Sequence, residues 1–527
     1  MEEQNLKKKS PKLFIALIVA ALIIVGGSAS AYFAFSKSPK VQYFLAESAT
    51  LQQMGNLFKD RYANEMKWMD VQKEKPTETT LDLSAEWNDP YIGYDMEEVQ
   101  SLVNSSKLTL QNVFDPVKKE TKIGLSAEVG STSIDLGEYF ATPEKALLAL
   151  PFTDDLIRFD DKDFGRIMRE IDEDYEGNDE LGLAQLFETD FSSASELTTY
   201  VKEEYLKFIF DELPEEAFES EKEEVEVFDK KIKATKSTMK LDEKQFKALI
   251  EKVLVKMQKD EKLKELIKDQ IAMSSFAGDV TASDLTEMIV QYEEGLESAI
   301  EDLDAIDDVP STITSTIWHD SNHIVKRSLD VTSGEEGEEE SLLMEGVQLL
   351  EKDEQQWKYT MGIKEADDEE NVLKFNGHLT WKDKKAEDSI TLTVEDVNAV
   401  KISYKGKEDL DGSKRTFKRT FGFSDGYQDV EVVWSGNATH ESDSMSADHN
   451  FTFSDGSMDP DMYNLKMKQK SKVVKKVDMP TESADTIMLK DMSVEEMMEY
   501  AEETLAPEAQ NWAWELMGNL ESELYGN

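Results

Sequence analysis

Residues 357–381 decide the fold: Trp357-Lys358-Tyr359-Thr360-Met361-Gly362-Ile363, a polar interval, then Leu373-Lys374-Phe375-Asn376-Gly377-His378-Leu379-Thr380-Trp381. Trp357, Tyr359, Met361 and Ile363 alternate with polar or small residues, and Leu373, Phe375, Leu379 and Trp381 repeat the pattern. A period of two sends successive side chains to opposite faces of a pleated strand, so each run reads as a half-buried strand. The alternation extends from about Gln356 to Val477, through Ile390, Leu392 and Val394 and then Val400, Ile402 and Tyr404. Asp411-Gly412, Asp425-Gly426 and Asp455-Gly456 supply turns where positive φ costs little. Asn376-Gly377 has the same composition but falls inside a strand pattern, which reads as a turn or a bulge.

Upstream, Leu81, Leu83, Ala85 and Trp87 alternate with Asp82, Ser84 and Glu86; Lys107–Phe114, Lys122–Val129, Ile134–Tyr139, Ala146–Leu150 and Glu223–Lys240 also read as strands. Ser311–Trp318 and Ile324–Val331 form a hairpin about Asp320-Ser321-Asn322. Helical periodicity appears over Gln42–Lys73, with Phe44, Leu51, Met54, Leu57 and Phe58 on one stripe, and again between Asp160 and about Leu213. Asp242 with Gln245, and Ser493 with Glu496, have the spacing of capping boxes. The first opens a helix carrying Phe246, Leu249, Ile250, Val253 and Met257, a pattern that persists with breaks to about Met273; Ser283–Ile300 is another. A sheet with one apolar face needs a cover. The expected fold is therefore α+β, a large curved antiparallel sheet covered on one face by amphipathic helices that start near Asp242, Ser283 and Ser493. The charged run Gly334–Glu340 suggests a boundary between an α+β domain, 36–332, and a β-rich domain with C-terminal helices, 341–527; one sheet continuous across both is the alternative.

The head of the chain differs from this body. Leu13–Phe35 is strongly apolar and follows Lys7, Lys8, Lys9 and Lys12. About 20 apolar residues span a bilayer as a helix, and basic flanks stay in the cytoplasm. Residues 1–12 then form a cytoplasmic tail, 13–35 a single transmembrane helix, and the body lies outside the cell membrane. The rival reading is a cleaved signal peptide with its site near Ser28-Ala29-Ser30-Ala31. Tyr32, Phe33 and Phe35 favour a retained anchor, as an interfacial end to the helix. The net charge of −52 excludes nucleic acid as a partner. The absence of cysteine excludes disulfides, thiolate catalysis and lipidation through Cys.

Three stretches carry a resemblance: Ser38-Pro39 before the helix start at Tyr43–Glu47, Thr238–Gln245 running from strand into helix, and Trp318–Leu329 forming the hairpin. In these the chain resembles membrane- or lipid-anchored envelope proteins of Gram-positive bacteria with a LolA/LppX-like fold. The resemblance implies an incomplete barrel with helices across its concave side, where the better-known members hold lipid or lipidated cargo. This chain departs from them in lacking the lipidated Cys and in being about twice their usual length.

Candidate chemistry is sparse. His319 and His323 flank the hairpin turn, but two imidazoles with no third ligand do not make a metal site. His378 alternates with apolar neighbours and reads as solvated, while His440 and His449 read as parts of a polar loop. Asp172–Leu183 begins like a calcium loop, with Asp172, Asp174, Glu176 and Gly177, then fails at Leu183, where a bidentate Glu belongs. Ser237-Thr238-Met239-Lys240 matches Ser-x-x-Lys but sits in a strand, and no Lys-Thr-Gly accompanies it. Trp87, Trp357 and Trp381 fall on apolar strand faces as core residues; Met497 and Met498 fall on a covering helix. No catalytic, cofactor-binding or metal-binding residue is assigned. The reading that follows is a non-enzymatic, membrane-anchored extracytoplasmic protein binding an apolar ligand, such as a lipid, or an envelope protein partner. A ligand-free structural module of the envelope is the alternative, and an extracellular hydrolase a more distant one.

Overall fold

The computed structural model describes residues 38–172, 175, 179–188, 197, 199–274, 282–305, 311–333, 340–364, 371–395, 399–456, 459 and 462–525. The Leu13–Phe35 segment, Asp174, Glu176 and Gly177 of the acidic loop, and nearly all of the Gly334–Glu340 run lie outside them. The protein is α+β, with a large, mostly antiparallel sheet of twenty strands and helices. Two compact units interleave along the chain: residues 191–407 belong to the first with the segment up to Arg61 and 421–429, and the remainder to the second.

In the first unit, strands pair antiparallel in chain order. The ladder runs Phe218–Val227, Lys230–Leu241, Ser311–Asp320, His323–Ser333, Glu340–Leu350, Glu354–Lys364, Asn371–Thr380 and Lys385–Glu395. The single strand expected over Glu223–Lys240 is thus two strands. Phe228, at φ 52°, turns the chain between them, a conformation that its aromatic side chain does not advertise. The expected hairpin turns on Ser321 and Asn322, both with positive φ.

The Asp242 capping box forms, and the helix Glu243–Lys259 that it starts buries Phe246, Leu249, Ile250, Val253 and Leu254. The 3–4 spacing places these on one stripe. They share a core with Ile313, Ile317, Leu329 and Val331, all at 3% exposure or less, and with Leu296 of the helix Ala282–Ala305. Here the expected cover is present.

The helix expected over 42–73 is divided at Tyr62 into Pro39–Arg61 and Ala63–Glu74. Its anticipated stripe is buried only in part: Phe44 and Leu57 are buried but Phe58 is 48% exposed, and, in a reversal of the expected polar face, Lys40, Glu47, Thr50 and Arg61 are buried as well. Ion pairing explains the reversal, since a buried charge is tolerated when a counter-charge meets it. Glu47 meets Arg327, and Arg61 meets Asp388 at 2.7 Å.

Asn376-Gly377 makes neither turn nor bulge. Gly377 lies mid-strand opposite Trp357, and a Cβ there would fall 2.0 Å from the indole ring. Gly346 stands in the same relation to Tyr359 one ladder over. By contrast Gly412, Gly426 and Gly456 do have the positive φ expected of turn glycines.

The second unit's ladder begins with Asp429–His440, Ser444–Ser454 and Tyr463–Val473, then returns to the start of the chain at Thr77–Trp87. Ser106–Asp115, Glu120–Val129, Thr132–Ala141, Lys145–Ala149 and Leu156–Asp160 follow in order. Ile487–Met488 then adds to the last of these in parallel.

The Ser493 capping box forms as expected, but the helix Val494–Tyr500 has no buried residue and Met498 is 60% exposed. The helical run continues through Ala506–Tyr525, where Trp512 meets Phe152 with ring centroids at 6.2 Å, so the anticipated lid forms only in part. Polar contacts tie Val494–Tyr500 down: Arg166 donates to the carbonyls of Leu489 and Met492, Glu170 accepts from the Val494 N–H, and Tyr500 donates to Asp155.

Candidate functional site

A groove open to a ligand follows from strand alternation in the second unit. Trp87 lies opposite Tyr463, Ala85 opposite Leu465, Leu465 opposite Phe451, and Phe453 opposite Val432. Side chains directly across a ladder share a face, so four strands contribute to one apolar surface. Val103, from the helix Tyr94–Asn104, closes one side. The result is an open groove of 490 Å³, within the size range of small-molecule sites. Its apolar lining is not sealed: Leu465 is 49% exposed, Tyr463 41% and Phe453 38%. Large apolar side chains left in contact with water over a contiguous area mark binding surfaces more often than chance placement does. Trp87, expected in the core, is thus a half-exposed groove wall.

Behind Phe451 stands a tighter aromatic stack. The Trp434 ring lies nearly parallel to Phe451, 12° apart with centroids at 5.8 Å, and His449 stacks on Phe451 at 6.4 Å. Phe417 meets Trp434 edge-on at 5.2 Å. Trp434 Nε1 donates to His449 Nδ1 at 3.0 Å. An indole N–H can only donate, so Nδ1 is unprotonated and the neutral ring carries its proton on Nε2. Burial, the largest influence, lowers the His449 pKa; nearby Asp448 opposes that and Arg419 adds to it. The guanidinium of Arg419 lies 4.5 Å from the Trp434 centroid and 4.7 Å from that of Phe417, a cation–π arrangement.

Arg419 is in turn fixed by Glu408, which is fully buried and also binds Arg415 at 2.7 Å and the Tyr62 hydroxyl at 3.0 Å. Arg415 continues the chain to Glu65 at 2.5 Å. This network has a sequence signature: Arg415 and Arg419 keep the parity of Phe417, and Glu408 that of Ile402 and Tyr404. Charges thus stand at apolar-face positions.

The histidines do not converge. His319 is buried in the first unit with its Nε2 3.2 Å from Ser237 Oγ, and burial pushes its pKa down to about 4. His323 pairs instead across from Asp320. His378 contacts Glu354 at 2.8 Å on an exposed face, as its alternation suggests. His440 and His449 sit in adjacent paired strands rather than the expected loop. Among the described residues no three His, Cys, Asp or Glu side chains are grouped to hold a metal ion. Ser237 lies in a strand at 1% exposure, and Lys240 belongs to the same strand. Trp357 is buried as expected, and Trp381 lies beneath the Arg61 guanidinium at 5.9 Å.

Among the described residues no helix is long and apolar enough to cross a membrane. No protein-family model matches the chain, and no curated protein does. The resemblance to LolA/LppX-like envelope proteins therefore finds no support in either comparison. Among solved structures, the CymD monoaromatic hydrocarbon channel matches over 79% of this chain and 93% of its own, at 7% identity and a TM-score of 0.16.

Proposed function

We propose that the protein is a non-enzymatic binding protein, anchored by Leu13–Phe35 with its body outside the cell membrane, and that it takes a small apolar ligand in the second unit's groove. The observation that carries the reading is the groove itself: 490 Å³ of open space lined by Trp87, Val103, Phe451, Phe453, Tyr463 and Leu465. Transferring an apolar ligand onto such a surface removes water from both partners, worth roughly 25 cal/mol per Å² of apolar area covered. The basic flank and apolar length of residues 7–35 support the location.

The test is a titration of the full-length protein with the apolar fluorophore 1-N-phenylnaphthylamine. Saturable enhancement that disappears in Leu465→Glu is expected, because a carboxylate placed in the groove must be desolvated by the ligand. A linear response, or saturation unaltered by Leu465→Glu, overturns the reading and favours an interaction module without a ligand.

A further inference from the structure

The polar backing of the groove wall has a property that an apolar binding site does not require. Phe451 faces the groove, and the rings stacked on it are Trp434 and His449. These two are joined by a hydrogen bond that exists in only one protonation state of the imidazole. In the neutral ring Nδ1 accepts from Trp434 Nε1 at 3.0 Å. In the imidazolium both nitrogens carry hydrogen, so two N–H groups would face each other. The new cation would also stand near Arg419, already seated on Trp434.

Resting on the apolar-ligand reading above, we propose that His449 makes the groove acid-sensitive: its protonation breaks the Trp434 contact, releases the stacked wall at Phe451 and weakens ligand binding.

The surroundings leave the imidazolium little compensation. On its own strand, Asp448 is the neighbouring carboxylate, and Asn437 of the adjacent strand donates to it at 3.3 Å. Directly opposite His449 stand Gly436 on one side and Met467 on the other, neither of them charged. From the strand Lys414–Ser424 the facing group is Arg419, whose own counter-ion, Glu408, is shared with Arg415. His440, the other histidine of this sheet region, faces a different pair, Glu65 and Arg415.

The experiment measures 1-N-phenylnaphthylamine affinity of the full-length protein at about pH 8 and about pH 5, on either side of the ordinary histidine range. Weaker binding at the lower pH is expected, by up to about tenfold for one unit of coupling between ligand and proton. His449→Gln keeps an acceptor for Trp434 without a titrating group, and its affinity is expected not to change with pH. Trp434→Phe removes the donor, so His449 should titrate nearer its usual value and binding should weaken from a higher pH. In the ligand-free protein, uniformly ¹⁵N-labelled, ¹H–¹⁵N spectra should show the Trp434 indole N–H shifting together with the His449 titration.

Binding at pH 8 that stays constant to pH 5, or a pH dependence that persists in His449→Gln, overturns the acid switch and leaves the groove reading standing. Absence of saturable binding at pH 8 overturns both, and a Trp434 indole signal indifferent to the His449 titration overturns the switch by itself.

Discussion

The two units use the same alternating strands to different ends. In the first, Ile313, Ile317, Leu329 and Val331 are almost wholly removed from water beneath a helix whose stripe matches them. In the second, Phe451, Phe453, Tyr463 and Leu465 occupy equivalent face positions and remain partly exposed. Alternation says which face is apolar; it does not say whether anything covers it. Cover comes from a second element with a complementary stripe, which Glu243–Lys259 supplies in the first unit, whereas at the groove the helix Tyr94–Asn104 contributes Val103 at one side. The open face is the one that can exchange its contact with water for contact with a ligand.

The strongest challenge to this contrast is electrostatic. Arg327→Met strands the buried Glu47, which burial already inclines toward protonation and which Arg327 holds back. A loss of about 3–5 kcal/mol in chemical denaturation is expected, because an uncompensated charge remains inside. Glu47→Leu combined with Arg327→Met should recover most of it. If the single variant costs nothing, the first unit's core does not depend on the pair.

Next comes a matched pair of truncations. Leu249→Ala, beneath the helix stripe, should cost about 3 kcal/mol by cavity formation. Leu465→Ala, half-exposed in the groove, should stay within about 0.5 kcal/mol while weakening fluorophore binding. Equal losses in thermal or denaturant unfolding would erase the distinction between a filled core and an open site.

The smallest effect is on pH dependence. Burial lowers the pKa of His319, His440 and His449, so the folded chain binds fewer protons than the unfolded one below the ordinary histidine value. Their contribution is complete above about pH 6.5 and is lost as pH falls toward the folded values, with His319 the lowest at about 4. A decline of about 2 kcal/mol between pH 6.5 and 5 is expected. His319→Gln should flatten part of that slope, as read from denaturation midpoints at each pH, and an unchanged slope would remove His319 from the account.

Much of the scaffold was legible because its signals are local. The ladder from Gln356 to Val473, the hairpin at Ser321-Asn322 and both capping boxes follow from residues at most a few positions apart. The buried ion pairs were not legible, since Glu47 and Arg327 are separated by 280 positions and Glu65 and Arg415 by 350. Nothing local to the helix Pro39–Arg61 therefore signals that Glu47 and Arg61 are buried along with Phe44 and Leu57.

The groove was only half legible. Its residues alternate visibly, yet Ser444, Ser446, Asp448 and Asn450 made the strand that holds His449 resemble a loop. Those polar residues are simply the other face of the strand: Met445, Ala447, His449 and Phe451 alternate with them. Reading parity before composition would have placed the histidine beside Phe451.

Gly377 beneath Trp357 and Gly346 beneath Tyr359 carry a consequence for how the first unit finds its pairing. A sheet of similar, alternating strands offers many near-equivalent alignments, and a slip of two residues preserves the apolar face. It would not preserve these two seats. Displaced by two, Trp357 would come to rest against Phe375 or Leu379, where there is no hollow to receive the indole. The glycines thus act as notches that only the correct alignment can fill, and set the register of these two pairings.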